Sequence, residues 1–230
     1  MKYILKIAAI LFGGYFFYHL LCNSKFFSME TNKYLQDIQD IKNMMSKSTQ
    51  FISLSGMAGV LAGVYALIGA FYVNHLIESH SSYYITLEST TFKLILATAF
   101  IVLFLSVVTA YILTVRKAKK MGEKVWNPSS KRLVLNFAIP LFTGGIFALL
   151  LLKNGHYGLI SPVVLIFYGL ACVNASKYTF RDVRYLGITE IILGLIAIEF
   201  SGYGLHFWVV GFGVCHILYG SIMYFKYDRK

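Results

Sequence analysis

The chain has 230 residues, 57% hydrophobic and only 13% charged, with a formal net charge of +11. Soluble domains carry about a quarter charged residues, so a water-facing globule is excluded, and the mean hydropathy of +0.65 agrees. The basic excess sits in the gaps between long apolar runs, which argues for a lipid bilayer as partner and against nucleic acid.

In chain order, residues 1–28 come first and read ambiguously. Met1–Leu21 is apolar enough for a further span, but Lys2 and Lys6 at its head would throw the four lysines of Asn23–Gln50 to the outside. No small-residue cleavage site follows, and Leu21 before Cys22 makes a poor lipoprotein signal. An interfacial or re-entrant helix, a seventh span, and a translation start at Met29 are the three readings. Residues 29–50 are expected to form a cytoplasmic amphipathic helix. Tyr34, Ile38, Ile41 and Met45 recur at helical spacing opposite Lys33, Asp37, Asp40 and Asn43. Such a helix lies on the bundle or the lipid surface, or docks a soluble partner through 31–50.

Residues 51–225 carry six apolar runs: Phe51–Val73, Leu94–Val115, Leu133–Leu152, Leu159–Val173, Val183–Phe200 and Leu205–Phe225. A helix needs about 20 residues to cross the hydrocarbon, so the first, second, third and sixth qualify outright. Ser161-Pro162 opens the shorter fourth run as an N-cap and first helical residue. The fifth carries Arg184 and Glu190 and is the weakest insertion signal. The predicted fold is an all-α polytopic transmembrane bundle of six spans, with residues 226–230 as a tail. Echoes such as Tyr157-Gly158-Leu159 with Tyr203-Gly204-Leu205 allow three in–out–in hairpins related as a parallel repeat.

Orientation follows from Lys and Arg. The gaps at 116–132 and 177–184 and the tail hold 13 basic residues, whereas the opposite side holds only Lys153. That asymmetry places the Asn23–Gln50 segment and the C-terminus in the cytoplasm. Trp126 and Trp208 fall near opposite interfaces, as anchors should.

Phe51-Ile52-Ser53-Leu54-Ser55-Gly56, Phe167-Tyr168-Gly169-Leu170, Asn174-Ala175-Ser176-Lys177-Tyr178-Thr179, Gly211-Phe212-Gly213 and His216-Ile217-Leu218-Tyr219-Gly220 together resemble a group of small six-span bacterial inner-membrane proteins with no established function. The likeness runs from about Glu30 to the end. It implies a class and no activity.

Polar groups within hydrocarbon are costly, and each is a default site hypothesis. Asn136, Asn174, Glu190, His216 and Tyr219 fall in the inner half of the membrane. Counting rise per residue puts Glu190 near the depth of Tyr219, with His216 one turn deeper, so the three are expected to meet. Either a proton relay or an interhelical hydrogen bond accounts for such a cluster. Pro140 cannot donate to the carbonyl of Asn136, leaving that group free, and Gly144 and Gly145 follow, so a kink is expected. Ser55, Gly59 and Gly63 form a stripe for close helix packing, within the chain or between copies. On the outer side His75, His80, His156, Glu199 and His206 offer imidazoles and a carboxylate at no recognised metal-ligand spacing. The sequence holds no H-E-x-x-H, G-x-S-x-G, P-loop or cofactor motif, and all four aspartates lie outside the spans. The leading expectation is a non-catalytic accessory or assembly component, meeting a membrane partner or a second copy through its spans. A small, proton-coupled transporter or channel is the alternative, and a lipid-modifying enzyme the third reading.

Overall fold

The computed structural model describes residues 36–39, 50–79 and 89–229. Contacts divide the chain into a unit Met1–Ser48 and a second unit Thr49–Lys230. In the first unit, residues 36–39 are helical and exposed. The expectations for 1–28, and for most of the helix at 29–50, lie outside the described residues.

In the second unit every regular element among the described residues is helical. Six helices follow one another: α1 (Gly56–Ser79), α2 (Thr90–Lys120), α3 (Pro128–Lys153), α4 (Ile160–Ala175, lengthened by 3-10 turns to Tyr157–Tyr178), α5 (Asp182–Glu199) and α6 (Gly204–Asp228). Five of them, all but α5, are long and apolar enough to cross a membrane. Their outward side chains suit lipid: Phe71, Phe104 and Phe142 are 79%, 68% and 72% exposed. The 18 residues of α5 include Asp182, Arg184, Glu190 and Glu199, which sets it apart. Helix α6 changes winding along its length, with π segments at Val209–Cys215 and Tyr224–Asp228.

Local sequence explains the ends. Asn127 and Ser130 form a reciprocal capping box at α3, with Pro128 at the first helical position. The Ser89 hydroxyl accepts from the Phe92 N–H at 3.1 Å to start α2. Gly122 and Gly155, at φ 67° and 79°, take the left-handed conformation that closes α2 and α3.

Two close crossings form the centre. At the α1–α6 crossing Gly59 lies against Gly220, and a Cβ on Gly220 would stand 2.5 Å from the Val60 nitrogen and 2.9 Å from the Gly56 carbonyl. Gly63 meets the Gly213 carbonyl in the same way. At the α4–α5 crossing Gly169 and Gly187 face each other, each leaving its neighbour's carbonyl no room for a side chain. Without a hydrophobic drive between helices in lipid, such backbone approach supplies the packing. Helix α2 packs on α1 and α3 on α4. The first two expected hairpins therefore pack as pairs. The third is opened, because α5 finds its main neighbour in α4 and α6 in α1.

One end of the bundle gathers the starts of α1, α3 and α5 with the ends of α2, α4 and α6. Asp228 accepts from the Gly56 N–H at 2.9 Å, from Ser55 at 3.1 Å and from Lys117 at 2.6 Å, so a residue of α6 caps α1. Ser53 bonds Glu123, and the Phe51 N–H donates to the Tyr178 carbonyl at 2.7 Å. Asp182 accepts from Lys226 and Tyr227 at 2.9 and 2.7 Å, and Tyr227 stacks on Phe180 at 3.9 Å.

Candidate functional site

Glu190 stands in the middle of α5 and is wholly buried. The close α4–α5 crossing brings Leu165 beside it, and Gly211 of α6 leaves the carboxyl its space: a Cβ there would lie 2.5 Å from Oε2. Among the described residues neither carboxyl oxygen has a hydrogen-bond partner. His216 approaches the carboxyl, with Nδ1 3.6 Å from Oε1, beyond hydrogen-bond reach. A buried carboxylate without donors is costly, and a proton or a cation on the carboxyl removes that cost.

His216 is held on both ring nitrogens. Nδ1 lies 3.0 Å from the Gly211 carbonyl, five residues back, and Nε2 lies 2.7 Å from the Tyr168 hydroxyl. A carbonyl only accepts, so Nδ1 carries a hydrogen; in the neutral ring Nε2 then accepts from Tyr168. The π winding of Val209–Cys215 ends at His216. Such segments recur at functional sites because one widened turn displaces side chains and backbone groups from regular register. An aromatic wall surrounds the pair: the Tyr168 ring lies 5.0 Å from Phe212, 5.2 Å from His216 and 5.9 Å from Phe137. The buried thiols Cys172 and Cys215 lie on the adjacent turns of α4 and α6.

The structure thus brings Glu190 and His216 together and leaves Tyr219 out. The Tyr219 hydroxyl pairs with Thr189 at 3.2 Å, one residue and 100° of helix away from Glu190. Tyr168, which sequence reasoning did not single out as a site residue, takes its place. A hydroxyl mid-way along an apolar run was the signal available.

No family model matches the chain, and neither a curated protein nor a solved structure matches it.

The other expected residues take structural positions. Pro140 does remove the donor to the Asn136 carbonyl, but that carbonyl is not free: the Asn174 amide donates to it at 3.0 Å. The reading of an open backbone group at a kink is corrected accordingly. A Cβ on Gly144 would strike the Phe167 ring, so this glycine serves α3–α4 packing, whereas Gly145 faces open space. Ser55 bonds Asp228, while Gly59 and Gly63 line the α1–α6 crossing within one chain. His75, His156, Glu199 and His206 are exposed, and His80 lies outside the described residues. Among the described residues no three His, Cys, Asp or Glu side chains gather as metal ligands.

Proposed function

We propose that the chain is a six-span protein of the bacterial inner membrane with a cytoplasmic C-terminus, working as a small proton-coupled transporter or channel. At 1.5 Å per residue α5 extends about 27 Å, close to the roughly 30 Å hydrocarbon core. Asp182 and Glu199 stand at its two ends and Arg184 half a turn in, which leaves Glu190 as the charge at depth. Topology is supported by the hydrogen bonds that join residues 51–56, 117–123, 178–182 and 226–228 at one end. This is the end that carries the basic gaps.

The observation that carries the function is the unpartnered, fully buried Glu190 carboxyl facing His216. A proton passes when the Tyr168 hydroxyl gives its hydrogen to Nε2 and is reprotonated from its other side. Nδ1 then releases its hydrogen to Glu190 Oε1 by closing the 3.6 Å gap. The entering proton thus neutralises a Glu190 carboxylate; the cycle closes when the carboxyl releases that proton on the far side and the imidazole returns its hydrogen from Nε2 to Nδ1. Purified protein in liposomes with a trapped pH-sensitive dye tests this. An imposed pH gradient should collapse faster than in empty liposomes, and Glu190→Gln should return the rate to the empty-liposome value. A Gln variant as fast as the parent chain removes Glu190 from the path.

An accessory or assembly role is the second reading. Helices α2 and α3 favour it, since each packs on one inner helix and turns most of its surface outward. Co-purification of one stoichiometric membrane protein from gently solubilised membranes would support it.

A further inference from the structure

A separate site lies at the basic end of the bundle. A cleft of about 220 Å³ opens between α1, α2 and α6, lined by Ser55, Arg116, Lys117, Lys120 and Asp228. Asp228 is fully engaged there, accepting from Ser55 Oγ, the Gly56 N–H and Lys117 Nζ. Its charge thus offsets that of Lys117, at 2.6 Å, and holds it in place; Lys117 Nζ also donates to the Leu54 carbonyl at 2.8 Å. Arg116 and Lys120, four apart on one face of α2, are exposed and form no ion pair among the described residues. The cleft keeps two uncompensated positive charges beside the ordered Ser55 hydroxyl.

From this we infer that the cleft binds the phosphate group of an anionic phospholipid from the cytoplasmic leaflet. The guanidinium of Arg116 presents a fork that matches two phosphate oxygens, and Lys120 supplies a point charge from the next turn. The position suits a lipid rather than a diffusing ion. The lining residues end the apolar run of α2, at the depth where headgroups lie, and basic pockets between spans are the usual form of such recognition. The exposed apolar side chains Ile112 and Leu105 lie about one and three turns below Arg116 on the same face of α2, where acyl chains run. The inference rests on the membrane reading and is independent of proton transfer at Glu190.

The test uses the full chain in neutral detergent at 0.3 M KCl, where diffuse surface attraction is screened. Phosphatidylglycerol and phosphatidylcholine are titrated in mixed micelles, and binding is read by native mass spectrometry and by the shift in unfolding temperature. Inorganic phosphate forms a separate arm. Phosphatidylglycerol should bind at least about tenfold more tightly than phosphatidylcholine. The Arg116→Gln/Lys120→Gln double variant should lose that preference. Lys119→Gln/Lys124→Gln, which removes the same charge away from the cleft, should keep it to within about threefold. Equal loss in the two double variants, or no lipid preference in the parent chain, overturns the site. Stabilisation by inorganic phosphate equal to that by lipid overturns the lipid assignment. Because both double variants alter exposed side chains, unchanged circular dichroism guards against misfolding. A chain that stays monodisperse without detergent would instead remove the membrane reading itself.

Discussion

Replacing Glu190 by Met separates a functional carboxyl from a structural one, because the two roles predict opposite signs for stability. Both oxygens are buried, and neither receives a hydrogen bond from the described residues. The approach to His216, at 3.6 Å, is too long to count as one. A buried polar atom without a partner costs about 1–3 kcal/mol. Met fills a similar volume beside Gly211 and Leu165 and deletes both orphan oxygens. Deleting the orphan oxygens removes that cost without stranding a partner, since His216 keeps its bonds to Gly211 and Tyr168. The Met variant should therefore unfold later than the parent, by about 2–4 °C for each kcal/mol in a unit of this size. Its proton flux in liposomes should be lost at the same time. Thermal unfolding in one detergent, followed by intrinsic tryptophan fluorescence, measures the first effect. Unfolding earlier than the parent by about 1 kcal/mol or more would mean that the carboxyl holds the helices together, and the reasoning from its missing donors would fail.

Other consequences follow from the same structure. Gly220→Ala should cost about 1–3 kcal/mol or more, because the added Cβ meets backbone of α1 at 2.5 Å. Gly145→Ala, facing open space, should be neutral or gain up to about 1 kcal/mol of helix propensity; paired urea titrations compare the two. Asn174→Leu should cost about 1–3 kcal/mol by stranding the Asn136 carbonyl. The cost should shrink in a Pro140→Ala background, where the restored N–H can reach that carbonyl, and a double-mutant cycle reads the difference. Burial pushes the Asp182 carboxyl up, but hydrogen bonds from Tyr227 and Lys226 and the nearby Lys226 and Arg181 charges outweigh it and hold it below the usual carboxylate value. The stability this gives is present above the unfolded value of about 3.9 and is lost as pH falls through the lower folded one. Asp182→Asn should flatten the acid limb of a stability–pH curve. Reporter fusions after Met121 and after Lys230 should report the same compartment.

The level of the site residues along the bundle was legible in the sequence, and azimuth was not. Counting 1.5 Å per residue inward put Glu190, His216 and Tyr219 in one layer, but it could not say which face of α6 meets which face of α5. The π segment before His216 alters the rotation of everything after it along α6, and no residue pattern announces such a segment. That is why Tyr219 pairs with Thr189 while His216 turns to Tyr168 and Glu190. The loss of a donor at Pro140 was legible because it is covalent. Its replacement by Asn174 was not, since it depends on how α3 and α4 cross. Apolar length marked out four of the five helices that could span; α4 was short by that measure and rested on its Ser161-Pro162 start, while Arg184 and Glu190 flagged α5 as the exception. Which helices neighbour one another is a matter of tertiary packing, so the separation of α5 from α6 could not be read from their order.

The carboxylate that caps α1 is made 172 residues after the backbone N–H it accepts from. During synthesis the first helix therefore waits in the bilayer with its positive dipole end unanswered and its glycine face uncovered. Until α6 inserts beside it, that face of α1 stays uncovered. Slowing translation late in the chain would lengthen that wait and lower the yield of mature protein, though no residue had been altered.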